Sequence, residues 1–272
     1  MQFDLDHIAV AAQSTQELWP RYAGDLSGDF VSFGVNPGFR SGQVRFANGM
    51  KVEILEPFEP RHNDFLRRFV DANGAGAHHL TFKVEPSIFE AIDRAQQLGF
   101  PVVGINTESP EWQEAFIHPK GAHGIVVQMA HTGTGDDMWG IDKPLPFPAA
   151  KLASPVELLS VVHTVAHLDG ALELFSGLLG GQEIRTANGL GIWDDGARVV
   201  ELAWPGPGRI TLVQPSKSDT LLGKWLGGRA GRVHHLAFSH PSPVNARDAA
   251  LLADGTYEIR PADNLGVRLV LH

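Results

Sequence analysis

The sequence contains no cysteine, and this absence removes several kinds of chemistry. Disulfides, thiolate catalysis and cysteine-ligated zinc sites are all excluded. The chain also has no run of lysine or arginine, and its formal net charge is -9. Nucleic acids and anionic membranes need a concentrated basic surface, so neither is expected as a partner.

Long apolar runs are missing as well. No segment approaches the length that spans a bilayer, and residues 1–6 lack the basic start and apolar region of a secretory signal. A cytoplasmic location is therefore expected. Apolar residues make up 43% of the 272 residues and charged residues 19%, which predicts a globular protein with room for two domains.

The sequence contains an internal repeat. Residues 5–10 alternate like a strand, and Ser14 and Glu17 then form a capping box that opens a helix. Residues 77–82 repeat the strand, and short runs broken by Gly, Asn and Pro follow each copy. The spacing predicts a βαβββ module made twice in the first half and twice again in the second half. His7 and His79 are 72 positions apart, and His163 and His235 are also 72 positions apart.

The repeat sets the expected domain boundaries. Gly, Pro and Asp cluster in residues 132–154, which predicts a linker between a βαβββ pair at 1–131 and a degenerate pair at 155–272. The last module is shortened, because His79 and His118 are 39 positions apart whereas His235 and Arg260 are only 25 apart. The loss of one strand or hairpin arm is expected there. The predicted fold class is α+β, with curled mixed sheets.

Four residues with metal-binding side chains occur at equivalent places in the first two modules. Alternation places His7, Glu53, His79 and Gln128 on the strand face that points away from the helices. Two imidazoles, a carboxylate and an amide oxygen suit one divalent ion: Zn, Ni, Co, Mn or Fe(II). The alternative is that these are ordinary polar residues bonded to one another.

The motifs of the first half resemble those of a known group. They read DHIAV at 6–10, VEILEP at 52–57, AHHLTF at 77–82 and FIHPK to GIVVQ at 116–128. This pattern is similar to the vicinal oxygen chelate superfamily, which includes lactoylglutathione lyase, bleomycin- and fosfomycin-resistance proteins, extradiol dioxygenases and methylmalonyl-CoA epimerase. The His-Pro-Lys triplet is most like the epimerase branch. The resemblance implies that the first and last strands of each module line a metal site.

Two departures from the family pattern bear on the chemistry. The epimerase and lyase branches usually have a glutamate as the last ligand, whereas this chain has Gln128, which cannot accept a proton at neutral pH. Glu53 is therefore expected to serve as both ligand and base. In the second half His163 and His235 are accompanied by Thr211 and Val270, so that half is expected to hold no metal.

The resemblance implies a divalent-metal-dependent lyase or isomerase of the glyoxalase type. It would act on a small substrate with vicinal oxygens through an enediolate-like intermediate. Two alternatives stay open: a non-catalytic protein that sequesters a drug-like compound, and an Fe(II) extradiol-type dioxygenase. Lys120 and Arg45 are candidates for binding an anionic group of the substrate, or are simply solvated. A homodimer is the mildly favoured assembly.

Overall fold

The structure is a computed structural model that describes residues 1–132 and 147–272. It contains two mixed eight-stranded sheets and few helices, which confirms the predicted α+β class. The first sheet is formed by β1 (Gln2–Ala11), β2 (Asp29–Asn36), β3 (Phe39–Arg45), β4 (Lys51–Pro57), β5 (Gly76–Glu85), β6 (Val102–Asn106), β7 (Gln113–Ile117) and β8 (Val126–His131). The second is formed by β9 (Leu158–Val165), β10 (Gln182–Asn188), β11 (Arg198–Ala203), β12 (Arg209–Gln214), β13 (Gly231–Phe238), β14 (Ala249–Leu251), β15 (Tyr257–Ile259) and β16 (Leu269–Leu271).

The strand order explains how two modules make one sheet. In the first sheet the order is β2-β3-β4-β1-β5-β8-β7-β6. The first strand of each module pairs in parallel with its last strand, and the two first strands lie side by side at the centre. The second sheet repeats this order as β10-β11-β12-β9-β13-β16-β15-β14. The four central strands are therefore the ones on which the sequence places its metal-binding side chains.

The helical segments differ between modules. The α-helices are α1 (Phe65–Asn73), α2 (Ile88–Gln97), α3 (Leu168–Leu172) and α4 (Leu221–Leu226). In the first module the Ser14 side chain accepts a hydrogen bond from the backbone N–H of Gln16, but it opens a 3-10 turn that is followed by a π-helical segment, Pro20–Asp25. None of the helices in the described ranges is long and apolar enough to cross a bilayer.

The last module corrects one prediction. All four of its strands, β13 to β16, are present, so the expected loss of a strand is wrong. The shortening instead removed the helix, since residues 239–248 contain only the 3-10 turn Pro243–Asn245, and β14 to β16 are reduced to three residues each. Backbone pairing keeps a short strand in the sheet, whereas a helix in this position can be deleted without breaking the strand ladder.

Both faces of the first sheet carry apolar packing. Ile8, Val10, Val52 and Ile54 are fully buried, as alternation predicts for the helix-covered face. On the opposite face Ala9, Ala11 and Leu55 pack against Leu66 and Val70 of α1, and Phe39, Phe65 and Phe69 extend this cluster. Helix α1 therefore covers one end of the face that carries His7. The polar residues of that face lie at the other end.

The chain forms two compact units, and each unit contains strands of both sheets. One comprises Met1–Asp6, His79–Asp136 and Ser160–His234, and the other comprises His7–His78, Asp137–Leu159 and His235–His272. The predicted division at 131 and 155 stays a prediction. Much of the predicted linker, residues 133–146, lies outside the described residues. Its described end is attached to the first module, because Phe147 packs against Trp19 and Phe30 and Lys151 pairs with Asp25.

Candidate metal centre

Three of the four predicted ligands come together on adjacent central strands. His7 lies on β1, Glu53 on β4 and His79 on β5, and one ligand atom from each lies within 4.8 Å of the others. The Nε2 atom of His7 is 3.4 Å from the Oε2 atom of Glu53. Both imidazoles are buried, with 2% of His7 and 6% of His79 exposed, while Glu53 is half-buried.

This donor set fits a divalent transition metal. Two imidazole nitrogens and one carboxylate oxygen are a donor set that suits Fe(II), Zn and similar ions. Atoms bound to one ion at bond lengths of about 2.0–2.2 Å are at most about 4.4 Å apart, and the three ligand atoms lie within 4.8 Å of one another, so only a small approach would bring them around one centre. The cluster therefore fits the ion that the sequence predicts, and the identity of that ion stays a prediction.

Gln128 has a defined hydrogen-bonding environment on the neighbouring strand. Its amide oxygen accepts a hydrogen bond from the Thr81 hydroxyl (2.5 Å), and its amide nitrogen donates to Oε2 of Glu114 (2.7 Å). The indole N–H of Trp112 donates to the same carboxylate oxygen at 2.9 Å. Gln128 lies in register with Thr81, two residues beyond His79 on β5. Its role as a fourth ligand stays a prediction.

Glu114 is a residue that the sequence interpretation missed. In β7 the buried Ala115 and Ile117 alternate with Glu114 and Phe116. That alternation already predicts that Glu114 faces the same side as the polar residues of the central strands. Glu114 lies on a strand that carries no predicted ligand, so the alternation alone did not mark it as a functional residue.

The two predicted substrate-binding residues lie outside this cluster. Arg45 ends β3 and is exposed. Lys120 is exposed in the turn after β7, where its backbone N–H donates to Nδ1 of His118 at 3.2 Å. Exposed cations at these positions are compatible with an anionic group of a substrate and equally with solvent, so their roles stay predictions.

The second sheet has buried histidines in a different environment. Nε2 of His163 is 2.9 Å from the backbone oxygen of His123, and burial lowers the pKa of His163 to about 4. Burial, assisted by the charges of Arg268 and His272, lowers the pKa of His235 to about 3. Among residues 1–132 and 147–272, a metal-binding group of three His, Asp or Glu side chains occurs only at His7, Glu53 and His79. A metal-free second half stays the expectation.

Comparison with known proteins identifies the fold. No protein-family model matches the chain, and no curated protein sequence does. A variant of 4-hydroxymandelate synthase from Streptomyces coelicolor is similar over 98% of this chain and 91% of its own, with 14% identity and a TM-score of 0.69. Methylmalonyl-CoA epimerase from the same organism is 21% identical over 49% of this chain and 100% of its own, with a TM-score of 0.43.

A hypothetical protein from Bacillus halodurans is 24% identical over 50% of this chain and 99% of its own, with a TM-score of 0.45. At these identities the full-length match with the synthase defines a shared fold and does not define a shared reaction. The chain shares the fold of 4-hydroxymandelate synthase over nearly its whole length.

Proposed function

We propose that the chain is a divalent-metal-dependent enzyme of the glyoxalase type, a lyase or isomerase acting on a small substrate with two neighbouring oxygens. The observation that carries the proposal is the convergence of His7, Glu53 and His79, with ligand atoms within 4.8 Å of one another. This convergence supports a built site over three polar residues that merely share a sheet face.

The residues of the cluster would have different roles in this reaction. His7 and His79 are buried and would hold the ion as neutral imidazoles. The bound ion would supply Lewis acidity that polarises a substrate carbonyl. Glu53 has two carboxylate oxygens, so one can bind the ion while the other accepts a proton from the carbon next to that carbonyl. Gln128 cannot take this proton, because an amide is not a base at neutral pH.

A second candidate is Fe(II) chemistry of the extradiol dioxygenase type. It is favoured by the donor set itself, since two histidines and one carboxylate are the ligands of many non-haem Fe(II) oxygenases. A sequestering protein that binds a compound without chemistry is the candidate from another class. Such a protein has no need of three buried or half-buried ligand-type side chains on adjacent strands.

The metal content of the purified protein is the first test. Protein purified without chelator, or reconstituted with Zn, Ni, Mn or Fe(II), is expected to hold one equivalent of metal by elemental analysis. The His7→Ala/His79→Ala double variant should lose it, because removal of both imidazoles leaves only the oxygens of Glu53 and Gln128. The matched His163→Ala/His235→Ala variant should keep it, provided that circular dichroism shows that it folds.

The chemistry is tested on the same metal-loaded protein. A panel of small 2-oxo and 2-hydroxy compounds in heavy water should show metal-dependent deuterium exchange at carbon, and Glu53→Gln should abolish it. Oxygen uptake with a catechol and Fe(II), without exchange, would replace the lyase assignment by ring cleavage. Absence of metal from every reconstituted sample would overturn the enzyme proposal and leave sequestration.

A further inference from the structure

The polar network behind the metal cluster has a fixed direction. Trp112 donates an N–H and Gln128 donates an N–H to the same oxygen of Glu114, and Thr81 donates its O–H to the oxygen of Gln128. An ionised carboxylate can only accept, and an indole can only donate. The amide of Gln128 therefore has one allowed orientation, because the flipped amide would place its oxygen against the carboxylate oxygen of Glu114.

This orientation determines what Gln128 can offer to an ion. With its nitrogen held by Glu114, the amide presents its oxygen on the side of β5, where Thr81 lies two residues from His79. An amide oxygen has two lone pairs, and Thr81 uses one of them. The second can bind a cation, whereas an amide nitrogen cannot.

The second sheet shows that the fold does not need this network. Thr81 lies in register with Gln128 between β5 and β8, and the same pairing between β13 and β16 joins Ala237 to Val270. Both of these counterparts are apolar and buried, with 6% and 4% exposed. Two parallel strands of this topology therefore pair without a polar bridge, so the network in the first sheet requires a functional explanation.

We propose that Glu114 is a positioning residue that locks the amide of Gln128 with its oxygen directed to the metal cluster of His7, Glu53 and His79. The inference rests on the proposed function, since it assumes that this cluster holds an ion. It assigns a role to a carboxylate that is not itself a ligand. Outer residues that orient ligands in this way typically change metal affinity by about 10–100-fold when they are removed.

The experiment measures metal affinity and needs no substrate. Zn(II) and Mn(II) dissociation constants are determined by chelator competition for the wild type and for Glu114→Leu, Glu114→Gln, Gln128→Leu and the Glu114→Leu/Gln128→Leu double variant. Glu114→Leu and Gln128→Leu should each weaken binding about 10–100-fold. The double variant should be no weaker than either single variant, because both changes remove the same oriented oxygen. Glu114→Gln keeps an accepting oxygen and should stay close to the wild type.

A variant that copies the second sheet separates positioning from folding. Thr81→Ala/Gln128→Val installs the pair found at 237 and 270, so it should retain the circular dichroism spectrum and thermal midpoint of the metal-free wild type. Its metal affinity should fall to that of Gln128→Leu. Loss of the folded spectrum in this variant would show that the network is structural and would overturn the positioning role.

The remaining outcomes separate this inference from the function on which it rests. Unchanged affinity in Glu114→Leu, or additive losses in the double variant, would overturn the role of Glu114 while the metal site stands. Unchanged affinity in Gln128→Leu, with binding abolished in His7→Ala, would do the same by removing Gln128 from the ligand set. Failure of the wild type to bind any metal would overturn the proposed function and this inference together.

Discussion

At the scale of single residues, the buried histidines differ in the groups that they contact. His7 and His79 are buried beside a carboxylate, whereas His163 is buried against a backbone oxygen. His163 is not at the strand position of His7, because Ile8 pairs with Val52 whereas its counterpart Val161 pairs with Ile210, which makes Ser160 the counterpart of His7. In the second sheet the places of His7 and Glu53 are therefore taken by Ser160 and Thr211, whose hydroxyl oxygens lie 2.8 Å apart.

The buried His163 makes stability depend on pH. Its pKa is lowered to about 4 in the folded protein, against 6.5 for an ordinary histidine. The unfolded chain takes up this proton below about pH 6.5, and the folded protein does so only near pH 4, so the stabilisation is complete above 6.5 and is lost as the pH falls. For each such histidine, the free energy of unfolding should fall by about 1.4 kcal/mol for every unit by which the pH drops between 6.5 and the pKa of the folded state.

Denaturant unfolding of the metal-free protein between pH 7 and pH 4.5 checks this expectation. His235, whose pKa is lowered to about 3, contributes a slope of the same sign. His163→Phe keeps a buried ring and removes one titrating group, so its slope should be smaller than that of the wild type by about 1.4 kcal/mol per pH unit. Identical slopes in the two proteins would show that His163 is protonated equally in the folded and unfolded states.

At the scale of elements, turns before the last strand of a module are fixed by close backbone contacts. Gly124 precedes β8 with φ +84°, and a Cβ atom there would lie 2.1 Å from the backbone oxygen of Gly231, which begins β13. Gly266 precedes β16 with φ +82°, and a Cβ there would overlap the backbone oxygen of Ala75. The two contacts are equivalent in the repeat, and each lies inside one compact unit.

Gly124→Ala is expected to destabilise the protein through two separate effects. The left-handed backbone alone costs a residue with a side chain about 1–2 kcal/mol, and the overlap with Gly231 adds to that cost. Gly99→Ala is the matched control, because Gly99 has φ +83° with nothing within 4 Å of its Cβ position. Thermal or denaturant unfolding should show a larger loss for Gly124→Ala than for Gly99→Ala. Equal losses would mean that the turn moves away from Gly231 without cost.

At the scale of the whole molecule, each compact unit combines segments from both halves of the sequence. In one unit Phe82 packs against Trp204 with ring centroids 5.2 Å apart. In the other, Phe46 packs against Phe238 at 4.9 Å, and the Asn48 amide donates to the backbone oxygen of Leu158 at 2.8 Å. Buried aromatic side chains contribute strongly to stability, so neither half carries a complete set of its own core contacts.

The predicted domain 1–131 is therefore expected to be unstable when it is expressed alone. Removal of the second half exposes Phe46 and Phe82, which are 3% and 0% exposed in the full chain. The fragment should be unfolded, aggregated or self-associated by circular dichroism and light-scattering chromatography. A monomeric fragment with the thermal midpoint of the full chain would establish residues 1–131 as an autonomous domain.

The repeat and the alternation of the strands were readable from the sequence for a physical reason. A strand buried on one face must alternate, and that pattern identified β1, β4, β5 and β8 and the face on which His7, Glu53, His79 and Gln128 lie. Local periodicity needs no knowledge of strand order. It accordingly predicted the α+β class, which the two mixed sheets confirm.

Contacts between distant segments were decided only by the tertiary structure. Strand order placed β4, β1, β5 and β8 side by side, and this brought one ligand-type atom from each of three residues within 4.8 Å of the others. It also joined Glu114 to Gln128, a hydrogen bond that depends on cross-strand register rather than on spacing along the chain. The loss of the helix from the last module was likewise evident only from the tertiary structure. The shorter spacing after His235 shows that residues are missing from the last module. The strand pairing shows that the missing element is the helix and not a strand.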